Sequence, residues 1–316
     1  MVAGSSLRRL VWRAQAGPWV VVIRLAAALV MALGIAASAW IARGWEATVT
    51  RQREERLDRG AASRTTAIRD ALGQYESVLR AERSLWLAST RVSRRDFRNF
   101  AATLDLPRRY EGLQSLGWRS FVPRERLAEF LAMARADGTP DFDIHPPGSR
   151  PNYYVTLYNE PAEDFRSTWG SDARATPSVL AAMERARESG QVTISGQTTL
   201  APDLALPPAR RPVAFELFVP VYRNGALPET VAERRASFLG WASGAFRAQG
   251  FLEDALRSVQ PSTGVELRDP AAGTGVPAAT FPVGFRAGGP YLRTDTLAFG
   301  GRTFELRYAP LRATWS

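Results

Sequence analysis

The 316 residues are 45% apolar, and 41 basic against 31 acidic side chains leave a formal net charge of +10. Every basic residue is an arginine, cysteine is absent, and histidine occurs once, at His145. A Schiff-base lysine, a lysine-bearing phosphate loop, a disulfide framework, a cysteine zinc site and a thiol nucleophile are thereby excluded, and one histidine makes no histidine-rich metal site.

The chain opens on a basic head, 1–17, with Arg8, Arg9 and Arg13, followed by an apolar segment assigned to 18–43 as a transmembrane helix. Its uncharged run from Leu25 to Ala42 spans about 27 Å as a helix, close to the ~30 Å hydrocarbon core of a bilayer. Arg24 lies near the cytoplasmic end, where a guanidinium snorkels to the headgroups, and Trp19 and Trp40 stand at interfacial positions. The arginine excess before the span predicts a cytoplasmic N-terminus and a periplasmic or extracellular remainder, anchored in the inner (plasma) membrane. A cleaved signal peptide is the alternative, because Ala37-Ser38-Ala39 resembles a cleavage site.

Residues 44–100 are polar and nearly free of glycine and proline, which predicts a stalk helix on the order of 80 Å long. Ala61, Thr65, Ile68, Leu72, Tyr75, Leu79, Glu82 and Trp86 recur at alternating 4,3 spacing, a heptad seam that offers a dimerisation stripe or packs on the domain that follows. From Gly112 the pattern changes to short strands and helices. GLQSLGWRSFV, NYYVTLYNEP, QVTISGQTTL, VAFELFVPVYR and ASFLGWASGAFR read as strands, and PRERLAEFLAMARADG and PSVLAAMERARESG as helices, the second opening on Pro177 and closing at Gly190. FLEDALRSV reads as a connecting helix before three further strands in TGVELRD, PYLRTDTLAFG and GRTFELRYAP. The fold class is α+β: two small domains in series, 101–250 and 251–316, after a long helix.

Several pieces of this chain, in order, resemble the CHASE domain, a sensory module of receptor kinases and cyclases that includes plant cytokinin receptors. They are GLQSLGW at Gly112–Trp118, Tyr-x-Glu-Pro at Tyr158–Pro161, Trp169–Asp172, Pro177, RARESGQ at Arg185–Gln191, FVPVYR at Phe218–Arg223, Pro228–Ala236 and GWASGAF at Gly240–Phe246. The resemblance implies two tandem PAS-like domains behind the stalk. The membrane-distal one would hold a small-molecule ligand, the chain would dimerise through the stalk helix, and the output would be a cytoplasmic histidine kinase or diguanylate cyclase. Neither an output domain nor a second span occurs before Ser316, so the chain is expected to be truncated there. A stand-alone anchored binding or scaffold protein is the alternative.

By the same resemblance the ligand pocket would be lined by Trp169, Asp172, Val179, Ile194, Ser195, Leu200, Leu217, Phe218, Trp241, Ser243 and Gly244. Each also reads as ordinary core, Asp172 as a cap before the Pro177 helix, and Gly244 as a close backbone approach. Val179 stands where cytokinin receptors carry a carboxylate, which argues against cytokinin as the ligand. Val155 replaces the proline common before Tyr-x-Glu-Pro. No catalysis is expected of this chain: Glu160, Asp164, Asp172 and Asp203 show no pairing by spacing, and His145 lies between prolines, not on an exposed helix. No cofactor or metal is expected. Nucleic acid, the usual partner of a chain with a pI near 10.8, is excluded by the extracytoplasmic location.

Overall fold

The computed structural model describes residues 18–223, 228–260 and 262–311, so Arg8, Arg9 and Arg13 lie outside the described residues. Contacts divide the chain after Arg56 into two units. In the first, all described residues are helix, the opening part of α1 (Pro18–Ala88). Its segment Val21–Ile41 is long and apolar enough to cross a membrane, and none of it is buried within the protein.

The second unit begins on α1 at Leu57 and continues through α2 (Arg94–Thr103), α3 (Leu106–Arg109), β1 (Leu113–Pro123), α4 (Leu127–Ala136), β2 (Asn152–Glu160), α5 (Ala162–Phe165) and α6 (Pro177–Ser189). Then come β3 (Thr193–Ile194), β4 (Ala214–Tyr222), α7 (Val231–Ser237), β5 (Phe238–Arg247), α8 (Ala248–Leu256), β6 (Thr263–Arg268), β7 (Ala279–Phe281), β8 (Arg293–Phe299) and β9 (Arg302–Pro310). The strands form two antiparallel sheets, ordered β2-β1-β5-β4-β3 and β7-β6-β9-β8. This is the expected α+β class with PAS-like sheets.

The stalk helix expected to reach residue 100 ends at Ala88. Ser93 opens the next helix: its hydroxyl accepts from the Asp96 amide while the Asp96 carboxylate accepts from the Ser93 amide, a capping box that holds Ser93 extended and starts α2 afresh. β3 is also shorter than its sequence pattern, since pairing lapses at Gly196 and resumes only as the single bridge Thr198–Ala214.

The heptad seam packs within the chain. Leu57, Ala61, Ile68, Leu72, Tyr75, Leu79 and Glu82 are buried in one core with both sheets, so of the two uses open to the stripe it takes packing on the domain that follows. Tyr75 meets Phe246 and Phe251 edge-on, with ring centroids 5.6 and 5.5 Å away, and Trp86 stacks on Trp118 at 3.8 Å. Lower on the helix, the Arg64 guanidinium donates to the Gln260 carbonyl at 2.5 Å, Thr65 shares a 2.7 Å hydrogen bond with the Tyr308 hydroxyl, and Asp58 pairs with Arg293 at 2.6 Å.

β5 lies in the centre of the first sheet, between β1 and β4. Successive strand residues face opposite sides, so Trp241 and Ala245 join the clusters on the α6 and α5 side while Ala242 and Phe246 join the α1 core. Gly244 belongs to the α1 face: a Cβ there would stand 2.9 Å from Leu79 Cδ1, the close approach its lack of a side chain permits.

Candidate functional site

On the side of the first sheet away from α1, the strands and α6 enclose a cavity of about 320 Å³. Its position follows from local sequence. Pro177 at the first helical position and Gly190, with φ 75°, at the end bound α6, whose Val179, Ala182, Met183 and Ala186 are buried toward Phe218 and Trp241. The floor is polar. Arg119 from β1 and Glu216 from β4 form a mostly buried ion pair in the middle of two otherwise apolar strands. From Arg119 a chain of hydrogen bonds runs to Thr156 at 2.9 Å, on to the Ser171 hydroxyl at 3.0 Å, and to the Thr168 carbonyl at 2.6 Å. Asn159 donates through Nδ2 to the Thr168 hydroxyl at 3.3 Å.

Two floor atoms are left over. Asn159 Oδ1 and Arg119 Nε are buried without a hydrogen-bond partner among the described residues, an acceptor and a donor in the same site. Asp172 closes the wall: Arg150 Nε stands 2.9 Å from its Oδ2, and its Oδ1 accepts from the Arg174 amide at 3.0 Å. Arg119 matches Glu216 and Arg150, just outside the lining, matches Asp172, so the cavity charges and their partners together sum to zero.

Of the residues expected at the pocket, Asp172, Val179, Leu200, Ser243 and Gly244 line this cavity, Gly244 through its backbone side of β5. Ile194 and Leu217 pair with each other and lie in the α1 core on the opposite face. Phe218 sits under α6 with the Arg119 guanidinium 5.6 Å from its ring centroid, and Trp241 is fully buried, donating through Nε1 to the Met183 carbonyl at 2.8 Å. Both support the site without lining it. Ser195 acts on the floor indirectly, its hydroxyl accepting from the Glu216 amide at 2.9 Å. Trp169 lies outside the cavity, stacked with the Arg94 guanidinium at 3.7 Å. The expected cap is present at Asp172, which begins a short helical turn at Ala173.

Sequence reasoning missed Arg119, Glu216 and Asn159. The signal was present for two of them, a charge of each sign interrupting an apolar strand in GWRSFV and AFELFV. Beside the cavity, burial and the neighbouring Glu184 push the Tyr154 phenol up to about 12, so it stays neutral and donates to Glu184 at 3.1 Å. Among the described residues no cluster of acidic side chains and histidine is placed to hold a metal ion. A second cavity of about 350 Å³ opens on the other face near Trp86 and Trp118, and a third, of about 610 Å³, near Arg98 and Glu160; neither is lined by an ion pair with both partners mostly buried, as Arg119 and Glu216 are.

The CHASE domain family profile matches residues 90–279, more than half of the chain. The chain belongs to the CHASE-domain family. The match takes in the whole first sheet with its cavity and runs into β7, and CHASE is a sensor domain, not a catalytic one. No protein with a curated description matches this CHASE chain in sequence. Among solved structures, it is similar to an extracellular ligand-binding receptor from Desulfohalobium retbaense, with TM-score 0.46 and 12% identity over 79% of this chain and 40% of that one. It is also similar to the ligand-binding domain of the Pseudomonas aeruginosa amino-acid chemoreceptor PctC in complex with GABA, with TM-score 0.40 and 13% identity over 79% of this chain and 96% of that one. A third is the periplasmic sensory domain of a Campylobacter jejuni chemoreceptor, with TM-score 0.43 and 10% identity over 84% of this chain and 98% of that one. The chain thus spans well under two thirds of the length of the first of these.

Proposed function

We propose that this CHASE chain is the extracytoplasmic sensor region of a membrane-anchored receptor, and that it takes a small polar ligand of no net charge in the cavity over Arg119 and Glu216. The observation that carries this reading is the cavity floor. A buried ion pair gives a fold little net stability, because desolvation offsets its attraction, and here it underlies a cavity with an unpaired acceptor and donor beside it. A ligand presenting donors and acceptors pairs with this polar lining, whereas a net charge would enter a site whose charges are already matched. Val21–Ile41 anchors the region, with the arginine-rich head on the cytoplasmic side. The output is a cytoplasmic kinase or cyclase, reached through α1. Because the seam is internal, dimerisation uses other faces of that helix.

The test is a thermal-shift screen of the full chain in detergent with neutral and zwitterionic amino acids, sugars and purines, alongside dicarboxylates and polyamines. A compound that binds only the folded state raises its melting temperature. Neutral or zwitterionic compounds are expected to do so in the wild type and to lose the effect in Ala201→Trp, which fills the cavity from its partly exposed wall. A shift retained in Ala201→Trp, or one produced by charged compounds alone, overturns the assignment.

A further inference from the structure

Six carboxylates are buried among the described residues: Glu82, Glu160, Asp172, Asp203, Glu266 and Asp269. Five of them pair with an arginine, respectively Arg98, Arg150, Arg247, Arg268 and Arg302. Glu82 is the exception. It sits in the seam of α1 with no exposed surface, and neither carboxylate oxygen reaches hydrogen-bonding geometry with any described group.

Its surroundings explain why no counter-charge arrives. The sheet face under α1 presents Leu116 and Trp118 from β1, Leu217 and Val219 from β4, and Ala242 and the Gly244 backbone from β5, all uncharged. One turn away on the helix itself are Val78, Leu79, Leu85 and Trp86. Arg80 is turned to solvent and bound to Glu76, and the half-buried Arg83, the next residue along, acts on the Tyr222 phenol. The phenols of the same core are Tyr75, Tyr153, Tyr158 and Tyr308, and burial pushes Tyr75, Tyr158 and Tyr308 up, so these stay neutral. Burial likewise pushes the Glu82 carboxyl well above its ordinary value; the Ser243 backbone amide and the Trp86 indole favour the charged form without offsetting it.

We propose that Glu82 is a proton site through which the chain responds to pH: its carboxyl is neutral while α1 lies on the sheet, and displacement of α1 that admits water ionises it. The site is separated from the ligand cavity by one layer of sheet, since Ser243 lines the cavity and its amide reaches toward Glu82. The packed arrangement holds one proton more than the displaced one, so rising pH favours displacement and falling pH favours packing. The window opens at the ordinary carboxyl value of 4.5 and closes at the raised one, and across it one proton changes the ratio of the two arrangements by about tenfold per pH unit.

The inference does not depend on the ligand assignment, and its test needs no ligand. The full chain in detergent is unfolded with urea at several values between about pH 5 and 8, as wild type and as Glu82→Gln, which keeps the shape and removes the proton. The folded-to-unfolded ratio of the wild type is expected to fall with pH more steeply than that of Glu82→Gln, the difference approaching tenfold per unit. At neutral pH the infrared spectrum of the wild type should contain a protonated-carboxyl band that the variant lacks. Should Glu82→Gln fail to fold, Glu82→Met serves for both measurements, because an apolar side chain of similar size suits an apolar seam. Parallel pH profiles, or the same carboxyl band in wild type and variant, overturn the proposal.

Discussion

Arg119 and Glu216 show what a charge in the middle of an apolar strand implies. Their side chains are 11% and 13% exposed, so removing one leaves the other charged with little water to replace its partner. Arg119→Ala is expected to destabilise the chain by about 3 kcal/mol, and Arg119→Met with Glu216→Leu together to recover most of that loss. Urea unfolding of the two single variants and the double variant checks the cycle. These residues were within reach of sequence reasoning, because each is a lone charge in a strand rich in Phe, Leu and Val. The expected pocket instead took neighbours in pairs, Leu217 with Phe218, Ile194 with Ser195, and Ser243 with Gly244. Period-two alternation sends one of each pair to the other face, and nothing in a single sequence states which face is covered by α6 and which by α1.

The same limit applies to α1. Its seam was legible down to the register, and every one of the spaced positions from Ala61 to Glu82 is buried or half-buried. A heptad stripe, however, records only that one side of a helix is covered, not whether the cover is a second helix or a sheet of the same chain. Cysteines introduced singly at Ile68 and Leu72 are accordingly expected to give no disulfide between chains in oxidised membranes, and an interchain disulfide at either position would show that the seam faces another copy. Where the next helix starts was also written locally, in Ser93 and Asp96, but a capping box four residues long is easily lost in a polar run of more than fifty.

For residues 57–316 the two sheets share one core with α1, and the rings of Phe215 in the first and Phe304 in the second meet edge-on at 5.5 Å. A backbone hydrogen bond joins them as well, from the Ile194 amide to the Gly300 carbonyl at 2.9 Å. Gly300 has φ 57°, and a Cβ on it would stand 2.7 Å from the Ile194 nitrogen. Gly300→Ala should therefore cost about 1–3 kcal/mol and expose the β8–β9 turn to protease, while the wild type melts in a single transition. Two separate transitions in the wild type would mean that the second sheet is independent of the first. The boundary expected at residue 250 falls within α8, which packs on β7 and on the end of β5 alike, so composition alone offered no break to find.

β5 serves two neighbours at once. Ser243 and Ala245 face the cavity, with Trp241 packed under α6 on the same side, and Ala242, Gly244 and Phe246 face the helix behind. Two independent vocabularies are thus interleaved along one strand. On the proposed function, substitutions in the first set would exchange one ligand for another while leaving the packing against α1 as it is.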